Sequence, residues 1–224
     1  MIGADEPERG GNMIDVGALR RRLLAGAGAI AALGLAVELW HARSDHPVLA
    51  VLGPQLSLSY EHNVPTWFAS SLLFACALAA GAIARGAARW RRHWWGMAAV
   101  FAYASLDEAA ELHEHLGGHF GAGGLLYFDW VIPAVAVLGV LAALYLPFVR
   151  ALPAATRRRL IVAGAIYIGG AVGMELPLGW WVERAGSDGL GYALIDWVEE
   201  TLEMIGASLT IVALVRHRQE QGPR

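Results

Sequence analysis

Four carboxylates and two imidazoles lie within eleven residues, SLDEAAELHEH from Ser105 to His115, in an otherwise apolar part of the chain. Carboxylate and imidazole groups are the side chains that bind divalent metals and transfer protons. A charged side chain at the centre of a bilayer costs about 2.5–3.5 kcal/mol on insertion scales. Because the flanking sequence predicts membrane-spanning helices, this cluster must face something other than lipid.

Further acids follow in two later apolar segments, at Glu175 and in the run Val198–Gly206, VEETLEMIG. Helical bundles hold di-iron and di-manganese centres with glutamates and Glu-x-x-His pairs from facing helices. This chain lacks a pair of Glu-x-x-His motifs, but its acids recur on several segments. We therefore predict a divalent metal ion (Fe, Mn or Zn), with Asp107 as the catalytic group that moves protons. The predicted metal ligands are Glu108, Glu111, His113, Glu114, His115, Glu175, Glu199, Glu200 and Glu203.

Helical periodicity predicts which of these groups share a face. At 100° per residue, a continuous helix places Asp107, Glu111 and His115 within an arc of about 120°. Glu108 and Glu114 fall in the same arc, whereas His113 points away from it. On the last apolar segment, Asp196, Glu199, Glu200 and Glu203 also form one face. The periodicity predicts two acidic walls and favours His115 over His113.

Composition places the chain among membrane proteins, since 56% of its 224 residues are hydrophobic and its mean hydropathy is +0.44. We predict an all-α fold, a six-helix transmembrane bundle over residues 20–217. Residues 1–19 and 218–224 are predicted to be cytoplasmic tails, the first of them disordered. Prolines 133 and 177 predict kinks inside the fourth and fifth spans. The predicted spans are 23–40, 64–84, 93–116, 125–149, 160–182 and 190–215.

The arginines predict the orientation of these spans. All 17 basic residues are arginine, and six spans place fifteen of them on the side of the N-terminus, with only Arg43 and Arg184 on the other side. Positive residues concentrate in cytoplasmic loops. Both termini are therefore predicted to be cytoplasmic, in a bacterial inner membrane, and the acids fall in the outer half of the bilayer.

Two arginines cannot neutralise the eleven acids predicted for this outer half. Either several carboxyls are protonated, or a water-filled cavity opens outward, or cations lie among the acids. The preferred hypothesis is a metal-dependent membrane enzyme, and the alternative is a proton or cation translocator or a sensor. A purely structural polar core is a third possibility. The lipid bilayer is the one predicted partner; the arginine pattern indicates topology rather than nucleic-acid binding, and the lone Cys76 excludes an intrachain disulfide.

The two acidic motifs also resemble those of a family. A group of uncharacterised bacterial multi-pass membrane proteins has similar signatures, S-L-D-E followed after four residues by H-E, and E-E-x-L-E-M. The resemblance covers the third to sixth spans, implies no established activity, and favours His113 where periodicity favours His115. The positions carried over from it are Asp107, Glu108, His113, Glu114, Glu199, Glu200 and Glu203.

Overall fold

The structure, a computed structural model, describes residues 13–222, which are mainly helical, with no strand in that range. Two short 3-10 turns, Glu114–Leu116 and Gly124–Leu126, interrupt the loop before the fifth helix, and a π-helical segment, Gly169–Met174, joins the sixth to the seventh. The α-helices are α1 (Val16–His41), α2 (Leu49–Leu56), α3 (Val64–Gly86), α4 (Arg91–Ala110), α5 (Val131–Ala151), α6 (Ala154–Ile168), α7 (Glu175–Ala185) and α8 (Leu190–Glu220).

Local chemistry explains where two helices, α1 and α3, begin. Asp15 accepts a hydrogen bond from the Ala18 amide at 2.9 Å, and Asn63 accepts one from the Thr66 amide at 3.1 Å, so each side chain satisfies an amide that the first helical turn leaves unpaired. Pro65 adds the fixed φ angle that suits a first turn. The all-α prediction is confirmed for the described residues.

Helix α8 forms the centre of the bundle and packs against α1, α3, α6 and α7. Its contact with α6 is close: a Cβ added to Gly206 would lie 2.6 Å from the Tyr167 backbone nitrogen. The core on the arginine-rich half is apolar, with Met204, Ala207 and Leu214 of α8 buried against α3. The acids of α8 that line the site described below lie in its N-terminal half, whereas Glu220 at its C-terminal end pairs with Arg159 and Arg216.

The outward faces of the helices are strongly apolar. On α5, the side chains of Val135, Val137, Val140 and Leu144 are 55–61% exposed. A water-soluble protein rarely leaves such a group of large apolar side chains uncovered. Four helical stretches in the described range are long and apolar enough to cross a membrane: Val16–His41, Val64–Gly86, Val131–Ala151 and Ala154–Ala185. Helices α4 and α8 carry more charge, because they supply most of the acids described below.

Three sequence predictions about these helices need correction. The third predicted span does not continue to residue 116, because α4 ends at Ala110 and Glu111 takes a left-handed conformation with φ of 51°. Helix α5 begins at Val131, six residues later than predicted, so Pro133 lies in its first turn and causes no kink. Pro177 lies in the first turn of α7, directly after the π-helical segment. Because proline has no amide hydrogen, the carbonyl of Gly173, inside that segment, lacks its usual helical partner.

The predicted tails differ from the structure at their inner ends. Helix α1 begins at Val16, inside the predicted tail 1–19, and α8 continues to Glu220. Residues 1–12 and 223–224, which hold the rest of the predicted tails, lie outside the described residues.

Candidate functional site: an acidic chamber

A cavity of about 520 Å³ lies where the C-terminal end of α4 meets α7 and the N-terminal half of α8. The loop before α3, the segment 117–130 before α5, Tyr167 of α6 and Ala171 of the π-helical segment complete its wall. We call this cavity the acidic chamber. It lies at the end of the bundle opposite to the arginines that flank α4, α6 and α8.

Carboxylates dominate the lining of the acidic chamber, which within residues 13–222 contains one histidine, His113, and neither arginine nor lysine. Tyrosine, tryptophan and phenylalanine supply most of the remaining wall. Opposite charges cannot balance these acids inside the chamber, so water, protons or a bound cation must do so. The lining carboxylates are Glu61, Asp107, Glu108, Glu111, Glu114, Glu175, Asp196, Glu199, Glu200 and Glu203.

The early end of α4 brings His113 into the chamber. After Glu111 the chain turns back, and Asp107 accepts one hydrogen bond from the His113 amide at 2.9 Å while its other oxygen lies 3.0 Å from the His113 Nδ1. A continuous helix would have directed His113 away from Asp107. The turn therefore produces a carboxylate–imidazole pair that a continuous helix would not form.

The surroundings of His113 favour its charged form. Partial burial works against the imidazolium, but the hydrogen bond with Asp107 and the charges of Asp107 and Glu175 outweigh burial and raise the pKa of His113 above its ordinary value. His113 lies in the turn beyond α4, near the mouth of the chamber. It is the one group of the described lining that can add a positive charge there.

Glu175 connects this turn to α5 and α7. The indole nitrogen of Trp130 donates to Glu175 Oε1 at 3.0 Å, and the Trp130 and His113 rings lie with centroids 4.5 Å apart. The other oxygen, Glu175 Oε2, is buried without a hydrogen-bond partner in the described residues, and so is Glu199 Oε2. Both residues are buried, Glu175 at 8% and Glu199 at 7% exposure. Two buried acceptors thus remain unsatisfied at the chamber wall, a costly arrangement unless something else pairs with them.

The wider π-helical turn between α6 and α7 places Glu175 beside α8. The π-helical segment directly precedes Glu175, and its Gly170 packs so tightly that an added Cβ would lie 2.8 Å from the Glu199 carbonyl oxygen and 3.0 Å from Glu203 Cγ. Single π turns are frequent at functional sites. The glycine allows the acids of α7 and α8 to share one cavity.

Some predicted or noted residues lie elsewhere. His115 is exposed, its Nδ1 lies 3.0 Å from the Glu111 carbonyl oxygen, and it does not line the chamber. Glu38 is hydrogen-bonded by Ser57 in the contact between α1 and the segment after α2. Asp129 accepts from the Gly118 and Phe120 amides at 2.6 and 2.8 Å, which fixes the loop before α5. The other eight predicted metal ligands and Asp107 do line the chamber.

Sequence reasoning missed several lining residues. Periodicity placed Asp196 on one face with Glu200 and Glu203, but the residue was not included among the predicted ligands. Glu61 belongs to a loop and has no such signal; His62 beside it forms a 2.9 Å contact with Glu111 at the chamber rim. Tyr167 and Trp130 could not be found from spacing, because their positions depend on how α6 and the loop before α5 fold back.

The donor side chains do not fit a preformed metal site. No group of three or more His, Cys, Asp or Glu side chains within residues 13–222 is arranged to hold a metal ion. The carboxylates line the walls of a cavity instead of converging on one point. The structure therefore does not support the predicted metal-binding property.

Fold and site together define a class: an all-helical protein with helices able to cross a membrane and a carboxylate-lined chamber at one end. The chain belongs to the protein family described as Domain of unknown function (DUF8692), whose model matches residues 22–218. This agrees with the resemblance to an uncharacterised family. No curated protein and no solved structure matches the chain.

Proposed function

We propose that this chain is a membrane protein that takes a cation into the acidic chamber, either to move it across the membrane or to sense it. Six passes are proposed, by α1, α3, α4, α5, the continuous stretch Ala154–Ala185, and α8. The arginine-rich ends and both termini face the cytoplasm of a bacterial cell, and the chamber opens to the opposite side. A role as translocator or sensor was the alternative hypothesis from sequence, and the site geometry favours it.

One observation carries this proposal: ten carboxylates surround one cavity whose described lining has no arginine or lysine. Ionised carboxylates in such a cavity create a negative potential, which concentrates cations from the adjoining solution. Below it, the apolar core around Met204 and Leu214 closes the path toward the arginine side. Because the apolar core blocks the path on the arginine side, a cation can enter the chamber from the opposite side only.

The test uses purified full-length protein in detergent and in proteoliposomes. We expect the protein to bind cations or to dissipate a proton or cation gradient, and Asp107→Asn to weaken that activity. The matched control is Asp188→Asn, which removes an exposed acid from the loop between α7 and α8, outside the chamber. If the wild-type protein neither binds nor moves protons, monovalent cations, divalent cations or organic cations, the proposal is wrong.

A metal-dependent membrane enzyme is the second candidate, and the Asp107–His113 pair favours it. A carboxylate that holds one imidazole nitrogen directs the other toward a metal in many metal sites. The candidate requires the remaining donors to move together when a metal binds. We expect metal analysis of purified protein to find Fe, Mn or Zn that is lost in His113→Ala and retained in His115→Ala. Absence of metal from the wild-type protein, or equal loss in both variants, would contradict this candidate.

A further inference from the structure

We infer that the acidic chamber binds an elongated organic cation with two or more ammonium groups, of the aliphatic diamine or polyamine class. This inference rests on the proposed function, because it names the kind of cation that the chamber accepts.

Size is the first argument. The chamber measures about 520 Å³, within the range of about 300–1,000 Å³ typical of small-molecule sites. A single water molecule occupies about 30 Å³ of liquid, so one inorganic ion would leave most of the chamber to solvent. The absence of any three donors arranged for a metal ion among residues 13–222 agrees with a larger occupant.

Unsatisfied acceptors are the second argument. Glu175 Oε2 and Glu199 Oε2 are buried at the chamber wall without a hydrogen-bond partner in the described part of the chain. Primary ammonium groups supply three donors each together with a positive charge. A ligand that carries them satisfies both deficits at once, whereas a neutral ligand would leave the carboxylates without counter-charge.

The spacing of the acids is the third argument. Asp196, Glu199, Glu200 and Glu203 follow one face of α8 along the chamber. Successive turns of an α-helix are about 5.4 Å apart, so these carboxylates form a row rather than a point. A cation whose ammonium groups are separated by a few methylene groups can contact several carboxylates of this row at once. A compact cation with one charge can contact fewer of them.

The aromatic wall is the fourth argument. Trp130, Tyr127, Phe128 and Tyr192 line the chamber together with the acids. Aromatic faces attract ammonium groups by cation–π interaction and pack against methylene chains. A lining that contains both acids and aromatic rings therefore suits both parts of an aliphatic polyamine.

Isothermal titration of the full-length protein in nanodiscs tests the inference, with spermidine and 1,4-diaminobutane as ligands. The comparison ligands are 1,4-butanediol, which lacks charge, tetramethylammonium, which has one compact charge, and Mn²⁺. We expect both amines to bind more tightly than all three comparison ligands. Glu199→Gln should weaken spermidine binding by about tenfold or more, since charge-assisted hydrogen bonds are the stronger kind, whereas Asp188→Asn should leave it unchanged. If Glu199→Gln does not fold, Asp196→Asn is the second variant, and it should also weaken spermidine binding.

The outcomes separate the two proposals. Binding or flux of protons or inorganic cations without amine binding overturns the polyamine inference and leaves the proposed function standing. Amine binding that Glu199→Gln and Asp196→Asn leave unchanged also overturns the inference, because the amines would then bind outside the chamber. Failure of every cation to bind or move overturns both.

Discussion

His113 uses one ring nitrogen for Asp107, which leaves Nε2 uninvolved in that pair. The pair joins a residue of α4 to the turn beyond it, so the orientation of the imidazole depends on Asp107. Because the pKa of His113 is raised, any stability that the charged pair gives is present at low pH and is lost as pH rises through that pKa. The pair can thus couple the protonation of His113 to the local structure of the chamber mouth.

Asp107→Asn tests this coupling. The amide retains an acceptor for the His113 backbone but removes the negative charge that favours the imidazolium, so we expect the pKa of His113 to fall. Nuclear magnetic resonance of isotope-labelled histidine across a pH titration measures the change. Asp45→Asn, which alters an exposed acid elsewhere, should leave the His113 titration unchanged. An unaltered His113 titration in Asp107→Asn would show that the pair is not formed in the membrane.

At the scale of the helices, two close approaches position the acids. Gly170 lets the π-helical segment reach α8 beside Glu199, and Gly206 lets α6 reach α8 one turn below the acids. Neither contact tolerates a side chain without movement of backbone atoms. The chamber therefore depends on small residues that carry no chemistry.

Gly206→Ala should destabilise the bundle. The new Cβ would lie 2.6–2.7 Å from Tyr167 backbone atoms, so α6 and α8 must separate, and such overpacking costs about 1–3 kcal/mol. Gly164→Ala in α6 is the matched control, because no atom lies within 4 Å of its added Cβ and alanine is the better helix former by about 1 kcal/mol. Thermal unfolding in detergent, followed by circular dichroism, measures both variants. A midpoint of Gly206→Ala equal to that of the wild type would mean that α6 and α8 do not pack as closely as described.

The sequence predicted the acids of α8 as one wall because their helix is regular, and periodicity is reliable there. It could not predict the end of α4, because Ala109 and Ala110 favour a helix. The turn after Ala110 is held by the hydrogen bonds between the Asp107 carboxylate and His113, which no local pattern predicts. The resemblance to a family compensated for this, since it favoured His113. Glu61 and three of the aromatic residues, Tyr127, Phe128 and Trp130, lie in loops, where side-chain position follows from tertiary folding and has no period in the sequence.

At the scale of the whole molecule, charge separates along the bundle. Acids gather at the end formed by α7 and the start of α8, while arginines flank the starts of α4 and α6 and the end of α8. In a membrane this arrangement places a negative cavity on one side and a positive border on the other. The proposed entry of cations from the acidic side and the proposed cytoplasmic location of the arginine side both rest on this one distribution of charge.

Cysteine labelling tests this arrangement in intact cells. Cys76 is the one cysteine of the sequence, so a Cys76→Ala background gives a chain without thiols. Ser187→Cys, in the loop beside the chamber, should react with a membrane-impermeant maleimide from outside. Ala88→Cys, in the exposed link between α3 and α4, should react only after the membrane is permeabilised. The reverse pattern would place the chamber in the cytoplasm, and reaction of both sites from outside would rule out the six-pass topology, since six passes put these two loops on opposite sides of the bilayer.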